Sequence, residues 1–326
     1  MKPDLLPEFI QTIKNTFGED GKRWLESLPG LLDEASRRWG LMDIQPVSNL
    51  SYNFVALAQL RPESGVSRRW LQSQPAPTSG PGEALQSASM ILKLGVPNRE
   101  LTSEIAALRF YNGHGACRLL EADPEKGMLL LEHLQPGQML STLEDDEQAT
   151  RIAGEVMSQL WRPVPENNDS FIKLKDWFDG FKRLRRRYNG GTGPLPEKLV
   201  ETAEALSSDL LSENKDVTLL HGDFHHYNVL ESERGWLAID PKGVIGSKGY
   251  EVGPLLTNPI DRFLNEINPK VQTEKRIAIL SEMLGMERER IRSWAICHAV
   301  LSAWWSLEDG EDWMYAIRCA EIFTMV

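Results

Sequence analysis

The order of apolar and polar positions predicts that the chain begins with helices and then changes to strands. Apolar residues recur at helical spacing over residues 4–39, where Gly18 and the pair Pro29-Gly30 are the expected breaks. Over residues 41–60 the period shortens to the alternation that is typical of a strand or a hairpin. We therefore expect a helical extension followed by the first strands of a sheet.

A loop, a strand, a helix and a hairpin are predicted next. Residues 62–88 are rich in Pro, Ser, Gly and Ala and are expected to form a flexible insertion. The stretch MILKLGV then reads as a strand, and a helix capped by Asn98 is expected to end at Tyr111. The segment CRLLEADPEKGMLLLEHL predicts a β-hairpin that turns at Asp123-Pro124.

Beyond residue 134 the pattern is mostly helical. Candidate helices cover residues 145–161, 171–188, 195–212, 270–284, 287–307 and 311–325. One compact β segment, VTLLHGDFHHYNVLESERGWLAIDPKG, interrupts them. The fold class is therefore α+β, with a sheet-rich lobe at 1–133, which includes the helical extension 1–40, and a helical lobe at 134–326.

The charge balance narrows the class of partner. The chain has 326 residues, with 36 Lys and Arg against 47 Asp and Glu, which gives a formal net charge of −11. A phosphate backbone requires clustered positive charge, so nucleic acid is not the expected partner. No apolar run reaches the length of a membrane span, and we expect no membrane partner. The pattern specifies no oligomeric state.

The termini and cysteines indicate a reducing compartment. The start, MKPDLLPEFI, lacks the basic and then apolar order of a secretory signal, so we expect none. The three cysteines are far apart and fit neither a disulfide framework nor a zinc pattern. A cytoplasmic protein is the simplest expectation.

Candidate chemistry concentrates in the β segment of the second lobe. Within HGDFHHYNVL, Asp223 ends one short strand and Asn228 follows five residues later, and in WLAIDPKG a strand ends at Asp240. Phosphoryl transfer needs one carboxylate to orient and deprotonate the attacking hydroxyl, and oxygen ligands to hold Mg²⁺ on the nucleotide phosphates. His225 and His226 are adjacent and would not share a helix face, and no cysteine lies nearby, so we do not expect zinc.

These segments resemble the protein-kinase-like fold in its aminoglycoside phosphotransferase branch. The resemblance is closest to the streptomycin 6-kinase and hydroxyurea-resistance kinase family, and it rests on FGEDGKRWLESLP, LKLGVPNREL, ACRLLEADPEKGMLLLEHLQPG, HGDFHHYNVL, IDPKG and LSAWWSLEDG. It implies a two-lobed fold that binds nucleotide in the small N-terminal lobe and acceptor in the helical lobe. It also implies transfer of the γ-phosphoryl group from ATP, with Mg²⁺, to a hydroxyl of a small molecule.

The resemblance assigns roles to single residues. It implies that Asp223 is the catalytic base and that Asn228 and Asp240 are the metal ligands. Lys93, in the strand MILKLG, is implied to bind the α- and β-phosphates, with Glu104 on the next helix as its ion-pair partner. Glu100, one turn earlier on that helix, remains the alternative partner.

Further nucleotide contacts are implied in the first lobe. The segment SNLSYNF stands where the family has its phosphate-covering loop, so Ser51 and Asn53 are expected to bring backbone N–H groups to phosphate. It lacks the glycine-rich pattern of protein kinases. Glu132 and Leu134 are expected to form backbone hydrogen bonds with adenine.

The acceptor is expected to be a small cation. The connection after Asp240 is too short for the peptide platform of a protein kinase, and the segment LSAWWSLEDGEDW combines indoles with carboxylates. Trp305, Glu308 and Asp309 are therefore candidate acceptor contacts, since both groups attract cations. These residues are equally consistent with helix packing and a solvated helix end.

Other functions stay open. The same base and metal ligands would serve a kinase of another metabolite, such as choline, a sugar or an amino alcohol. A nucleotide-binding regulator without turnover is a third possibility, although Asp223, Asn228 and Asp240 are all intact. Among these, the family resemblance favours an aminoglycoside such as streptomycin as the acceptor.

Overall fold

The protein is described here by a computed structural model that covers residues 3, 5–66, 89–213 and 216–326. The chain folds into two compact units. Unit 1 comprises Met1–Gly113 and Cys117–Leu134, and unit 2 comprises His114–Ala116 and Gln135–Val326. The insertion predicted at 62–88 lies, from residue 67 onward, outside the described residues.

Unit 1 combines two helices with a sheet in the part of the chain that is described. The helices are α1 (Pro7–Trp39) and α2 (Arg99–Tyr111). The strands are β1 (Leu41–Pro46), β2 (Phe54–Leu60), β3 (Ser89–Leu94), β4 (Leu119–Asp123) and β5 (Met128–Glu132). They form one antiparallel sheet in the order β1-β2-β3-β5-β4.

One of the two breaks predicted in helix α1 is confirmed. Gly18 has non-helical angles (φ 55°, ψ −128°), a conformation in which glycine avoids a Cβ clash. The break predicted at Pro29-Gly30 is wrong, because the helix continues to Trp39. Proline removes one helical N–H, but Leu28 and Leu32 on either side remain buried in the core, so packing outweighs the lost hydrogen bond.

The core of unit 1 lies between helix α1 and the sheet. Alternate residues of β2, from Phe54 to Leu60, are buried together with Trp39 and Leu92. The predicted helix cap is confirmed, since the Asn98 side chain accepts a hydrogen bond from the N–H of Leu101 at 2.9 Å. The predicted hairpin is confirmed as the antiparallel pair β4 and β5.

Unit 2 is mostly helical. Its helices are α3 (Asp146–Leu160), α4 (Leu174–Arg187), α5 (Glu197–Ser212), α6 (Val252–Leu256), α7 (Ile260–Asn265), α8 (Pro269–Leu284), α9 (Arg288–Asp309) and α10 (Met314–Thr324). The six helices predicted after residue 134 are confirmed, with small shifts at their ends. The short helices α6 and α7 were not predicted, because five or six residues are too few to show a helical period.

Short strands lie between the helices of unit 2 along the chain. They are β6 (Pro136–Met139), β7 (Ile172–Lys173), β8 (Val217–Leu220), β9 (Val229–Ser232), β10 (Gly235–Ala238) and β11 (Val244–Ser247). In the described part of the chain they form two small sheets, with the orders β10-β9-β6 and β7-β11-β8. No helix in the described ranges is both long and apolar enough to cross a membrane.

Candidate active site

The HGD segment (His221, Gly222 and Asp223) follows strand β8 in unit 2 and is hydrogen-bonded to the segment that contains Asp240. The backbone N–H of Lys242 donates to the carbonyl of His221 at 2.6 Å, and the N–H of Ile239 donates to the carbonyl of Asn228 at 2.9 Å. These two bonds join positions that are far apart in sequence. The structure thereby brings together the loops that carry Asp223, Asn228 and Asp240.

Asn228 is held by its amide nitrogen. Its Nδ2 donates to the backbone carbonyl of Asp223 at 3.0 Å and lies 3.3 Å from Nε2 of His225. With the nitrogen engaged in this way, Oδ1 is the atom that the side chain can offer to a cation. Asp240 has a positive φ of 56°, which is uncommon for a residue with a Cβ, although Asp adopts it more readily than most residues.

The Asp223 carboxylate is partly open to solvent. Its side chain is 40% exposed, and Oδ1 lies 3.5 Å from Nε2 of His225. Burial raises the pKa of Asp223, but the nearby His225 and Lys242 lower it, and the net pKa lies below the ordinary value. The carboxylate is therefore ionised near neutral pH, as a proton acceptor must be.

His221 acts as a structural brace for the HGD segment. Its Nε2 donates to the carbonyl of Ile239 at 2.7 Å, and its Nδ1 accepts from the N–H of Asp223 at 3.2 Å. Burial lowers the pKa of His221 to about 4, so the imidazole stays neutral and its Nδ1 stays an acceptor.

Glu251 was missed by the sequence reasoning. It is 0% exposed, and its two carboxylate oxygens accept the N–H groups of His221 and Gly222, each at 2.8 Å. Burial raises the pKa of Glu251 to about 7, although these two hydrogen bonds oppose the rise. The available signal was an acid between Tyr250 and Val252, in an apolar stretch where a charge is buried only with partners.

In unit 1, the structure places an ion pair on the sheet. Nζ of Lys93, in β3, lies 2.7 Å from Oε1 of Glu104 in α2. Both side chains are buried, at 3% and 7% exposure, whereas Glu100 is exposed. The structure therefore gives Lys93 a carboxylate partner in Glu104.

The loop between β1 and β2 reaches the end of β3. Oδ1 of Asn53 occupies the space beside Gly95 that a Cβ at this position would need. Asn53 thus lies close to the strand that carries Lys93, while Ser51 is exposed at the loop tip. Their predicted role toward phosphate stays a prediction.

The two residues expected to contact adenine are fixed by the fold of unit 1. The N–H of Glu132 donates to the carbonyl of Arg118 at 3.0 Å, and its carboxylate accepts the N–H of Arg118 at 2.9 Å. Leu134 is buried at the end of the unit. The Glu132 N–H is thus engaged within unit 1, and both adenine roles stay predictions.

The acceptor candidates of unit 2 differ in their surroundings. The Trp305 ring lies edge-on to Trp177, with centroids 5.6 Å apart. Glu308 binds the guanidinium of Arg183 through two hydrogen bonds of 3.0 and 2.9 Å, so its charge is already compensated within the protein. Asp309 is exposed at the end of helix α9.

Comparison with known proteins identifies the family. The sequence model described as "Aminoglycoside/hydroxyurea antibiotic resistance kinase" matches residues 82–310. The chain belongs to this family. The matched range includes both the loops around Asp223 and the Lys93–Glu104 pair.

Curated relatives in this kinase family cover most of the chain. Streptomycin 6-kinase of Streptomyces glaucescens is 29% identical over 296 residues, which cover 90% of this chain and 88% of that protein. Hydroxyurea phosphotransferase of Kitasatospora aureofaciens is 30% identical over 315 residues, which cover 93% and 80%. Both are named as phosphotransferases of small molecules, and the chain is accordingly a small-molecule kinase.

A solved structure supports the protein-kinase-like fold. The amicoumacin kinase hAmiN, in complex with AMP-PNP, Ca²⁺ and Ami, aligns with a TM-score of 0.61 and 12% identity. The alignment covers 94% of this chain and 95% of that one. The predicted fold, α+β with an antiparallel sheet and many helices, is confirmed for this family member.

Proposed function

We propose that this kinase uses ATP and Mg²⁺ to phosphorylate a hydroxyl group of a small cationic molecule, with streptomycin as the first candidate. The observation that carries the proposal is the backbone hydrogen bonding that joins the loops of Asp223, Asn228 and Asp240 in unit 2. A carboxylate, an amide oxygen and a second carboxylate on joined loops form the set that phosphoryl transfer requires.

The proposed reaction gives Asp223 one task. Its carboxylate accepts the proton of the acceptor hydroxyl while that oxygen forms a bond to the γ-phosphorus. The bond between the γ-phosphorus and the β–γ bridging oxygen breaks, and its electron pair leaves with ADP. The low pKa of Asp223 and its partial exposure suit this task, because the acceptor must reach an ionised oxygen.

The residues present fit a hard cation such as Mg²⁺. Asn228 can offer only its Oδ1, because Nδ2 is engaged, and Asp240 supplies carboxylate oxygens. Within the described ranges no cluster of three or more His, Cys, Asp or Glu side chains could hold a metal by itself. The nucleotide phosphates would therefore complete the ligand set. Bound Mg²⁺ would neutralise charge on those phosphates.

Nucleotide recognition is assigned mainly to unit 1. The buried ion pair holds the Lys93 ammonium, which we assign to the α- and β-phosphates. ATP as the donor is further supported by the AMP-PNP in the complex of hAmiN, which has the same fold. Streptomycin and hydroxyurea are the first acceptors to test, because the relatives carry those names.

The Asp223→Asn variant tests the proposal. We expect it to fold and to bind Mg²⁺–ATP almost as the wild type does, but to lose about 10²-fold or more in kcat, because a positioned base is removed. ADP release should be measured with streptomycin, hydroxyurea and choline as acceptors, with an Asp209→Asn variant as an exposed control. Near-wild-type turnover by Asp223→Asn would refute the role of this residue as the base.

A further inference from the structure

Two side chains with no assigned role flank the HGD segment of unit 2. Trp177 lies on helix α4 and His298 on helix α9, so they come from elements far apart in sequence. Both contact Tyr250, the neighbour of Glu251, with ring centroids 5.7 and 5.5 Å away. Trp177, His298 and Trp305 are called the aromatic wall below, and Tyr250, which is 0% exposed, is a buried residue that contacts Trp177 and His298.

Trp177 connects the HGD segment to Trp305. A Cβ built on Gly222 would lie only 3.0 Å from Cη2 of Trp177, which places the indole against the backbone next to Asp223. The same indole also contacts Trp305, with ring centroids 5.6 Å apart and ring planes nearly perpendicular. Trp177 and Trp305 are both half-buried, so part of each indole faces solvent. A partly exposed indole that lies against the backbone next to Asp223 can contact the molecule that Asp223 is proposed to deprotonate.

Tyr250 determines which nitrogen of His298 carries a hydrogen. The Tyr250 hydroxyl lies 3.0 Å from Nδ1 of His298. Tyr250 is fully buried, at 0% exposure. Among the described residues, Nδ1 is the acceptor that the structure gives to this hydroxyl, so the hydroxyl donates to it. The neutral ring then carries its hydrogen on Nε2.

Among the described residues, Nδ1 is the ring nitrogen of His298 that has a hydrogen-bond partner, which leaves the hydrogen on Nε2 available. The residue is 8% exposed, and Nε2 is not among the buried side-chain atoms without a partner in the described ranges. Burial lowers the pKa of His298 to about 4, which keeps the ring neutral near pH 7, and Asp223 is close enough to oppose this shift. His298 therefore presents one N–H donor in the vicinity of the carboxylate.

We infer that the aromatic wall binds the acceptor, with Trp177 packing against its ring or cationic group and His298 Nε2–H donating to one of its oxygens. This inference rests on the proposed function. An indole face binds both cations and the C–H face of a hydroxylated ring, and one imidazole donor suits a hydroxyl or ether oxygen. These contacts fit the small cationic, hydroxylated acceptor of the proposed function.

Steady-state kinetics with streptomycin, hydroxyurea and choline test the wall in the full-length protein. We expect Trp177→Leu and His298→Leu each to raise KM for the acceptor by about 5-fold or more, with KM for ATP changed less than about 2-fold. Trp177→Phe, which keeps an aromatic face, and His298→Gln, which keeps an N–H donor, should recover most of the loss.

A neighbouring tryptophan gives the matched control. Trp304 precedes Trp305 on helix α9 but is buried at 1% exposure against Gly180, where a Cβ would lie 3.1 Å from its Cδ1. Trp304→Phe should lower the melting temperature without changing KM for the acceptor relative to KM for ATP. A purely structural role for Trp177 would give the same pattern as Trp304.

The outcomes separate the inference from the proposed function. If the wild type turns over an acceptor and Trp177→Leu and His298→Leu leave its KM unchanged, the wall is wrong and the kinase assignment stands. Equal rises in both KM values, or no recovery in the conservative variants, also contradict the wall. If the wild type consumes no ATP with any of the acceptors, the proposed function fails and the inference fails with it.

Discussion

The two units each bury a glutamate near their candidate functional residues, but they compensate its charge in different ways. In unit 1, Glu104 faces the full positive charge of Lys93 at 2.7 Å. In unit 2, Glu251 faces two backbone N–H groups, of His221 and Gly222, at 2.8 Å. Burial disfavours an isolated carboxylate in both places, so each partner set stabilises the folded chain.

The difference shows what each glutamate holds in place. An ion pair orients a side chain, and Glu104 orients the ammonium of Lys93. Two N–H donors orient a backbone, and Glu251 holds the segment that leads to Asp223. Dipoles compensate a buried charge less completely than an opposite charge does, which is consistent with the raised pKa of Glu251, at about 7.

Of the substitutions that test this difference, removal of the Lys93 ammonium should reduce stability the most. Lys93→Ala leaves Glu104 buried without a counter-charge, and we expect the free energy of unfolding to fall by about 3–5 kcal/mol in urea titrations. The double variant Lys93→Met with Glu104→Leu should recover much of this stability, because an apolar pair of similar volume replaces the ion pair. If the ammonium binds phosphate, kcat should fall by about 10²-fold or more in both variants. An active double variant would contradict the phosphate role.

Glu251→Gln should have a smaller effect on stability and a clear effect on turnover. The amide keeps the shape but has one acceptor oxygen, so one of the two N–H groups loses its partner, at a cost of about 1–3 kcal/mol. We expect kcat to fall by about 10-fold or more, because the HGD segment is less well positioned, with a smaller change in KM for ATP. Glu282→Gln, an exposed change on helix α8, is the control. A wild-type kcat in Glu251→Gln would show that the two hydrogen bonds to Glu251 do not affect catalysis.

The pH dependence of stability should reveal the raised pKa of Glu251. A carboxyl whose pKa is about 7 when folded and 4.5 when unfolded binds more protons in the folded state between these values. Its contribution is therefore fully present below pH 4.5 and is lost as the pH rises through 7. We expect the stability advantage of the wild type over Glu251→Gln to shrink by about 2 kcal/mol from pH 5 to pH 8 in chemical unfolding.

Subtracting the unfolding free energy of Glu251→Gln from that of the wild type cancels the contributions of other titrating groups. His221 and His298, with pKa values of about 4, destabilise the folded protein in the opposite direction, as the pH falls below 6.5. They are present in both proteins and cancel. A pH-independent difference would mean that the two N–H groups keep Glu251 ionised throughout.

Local patterns were sufficient for many elements. The Asn98 cap, the hairpin at Asp123 and the long helices of unit 2 depend on short-range rules of capping, turns and periodicity. Pro29 shows where such rules fail. Its local cost is real, but the buried face of helix α1 decides the outcome, and packing is not visible in a window of a few residues.

In the candidate site too, some residues could be found from local sequence, whereas the surroundings of others depend on long-range contacts. Asp223, Asn228 and Asp240 could be selected from sequence because their chemistry depends on residue type and on spacing over a few residues. Glu308 illustrates the limit, since its acidic neighbourhood indicated a cation site while the structure gives it Arg183, 125 positions away. A long-range ion pair leaves no local pattern.

The sequence by itself determined the α+β class, the helices and hairpin, and the side chains suited to phosphoryl transfer, because these follow from residue type and near-neighbour spacing. Only the tertiary structure decided between Glu104 and Glu100 as the partner of Lys93, and only it showed that Glu251 holds the HGD segment and that Trp177 lies beside Gly222. These contacts depend on burial and on the packing of distant elements. Their energies arise when water is excluded, which happens only once the chain has folded.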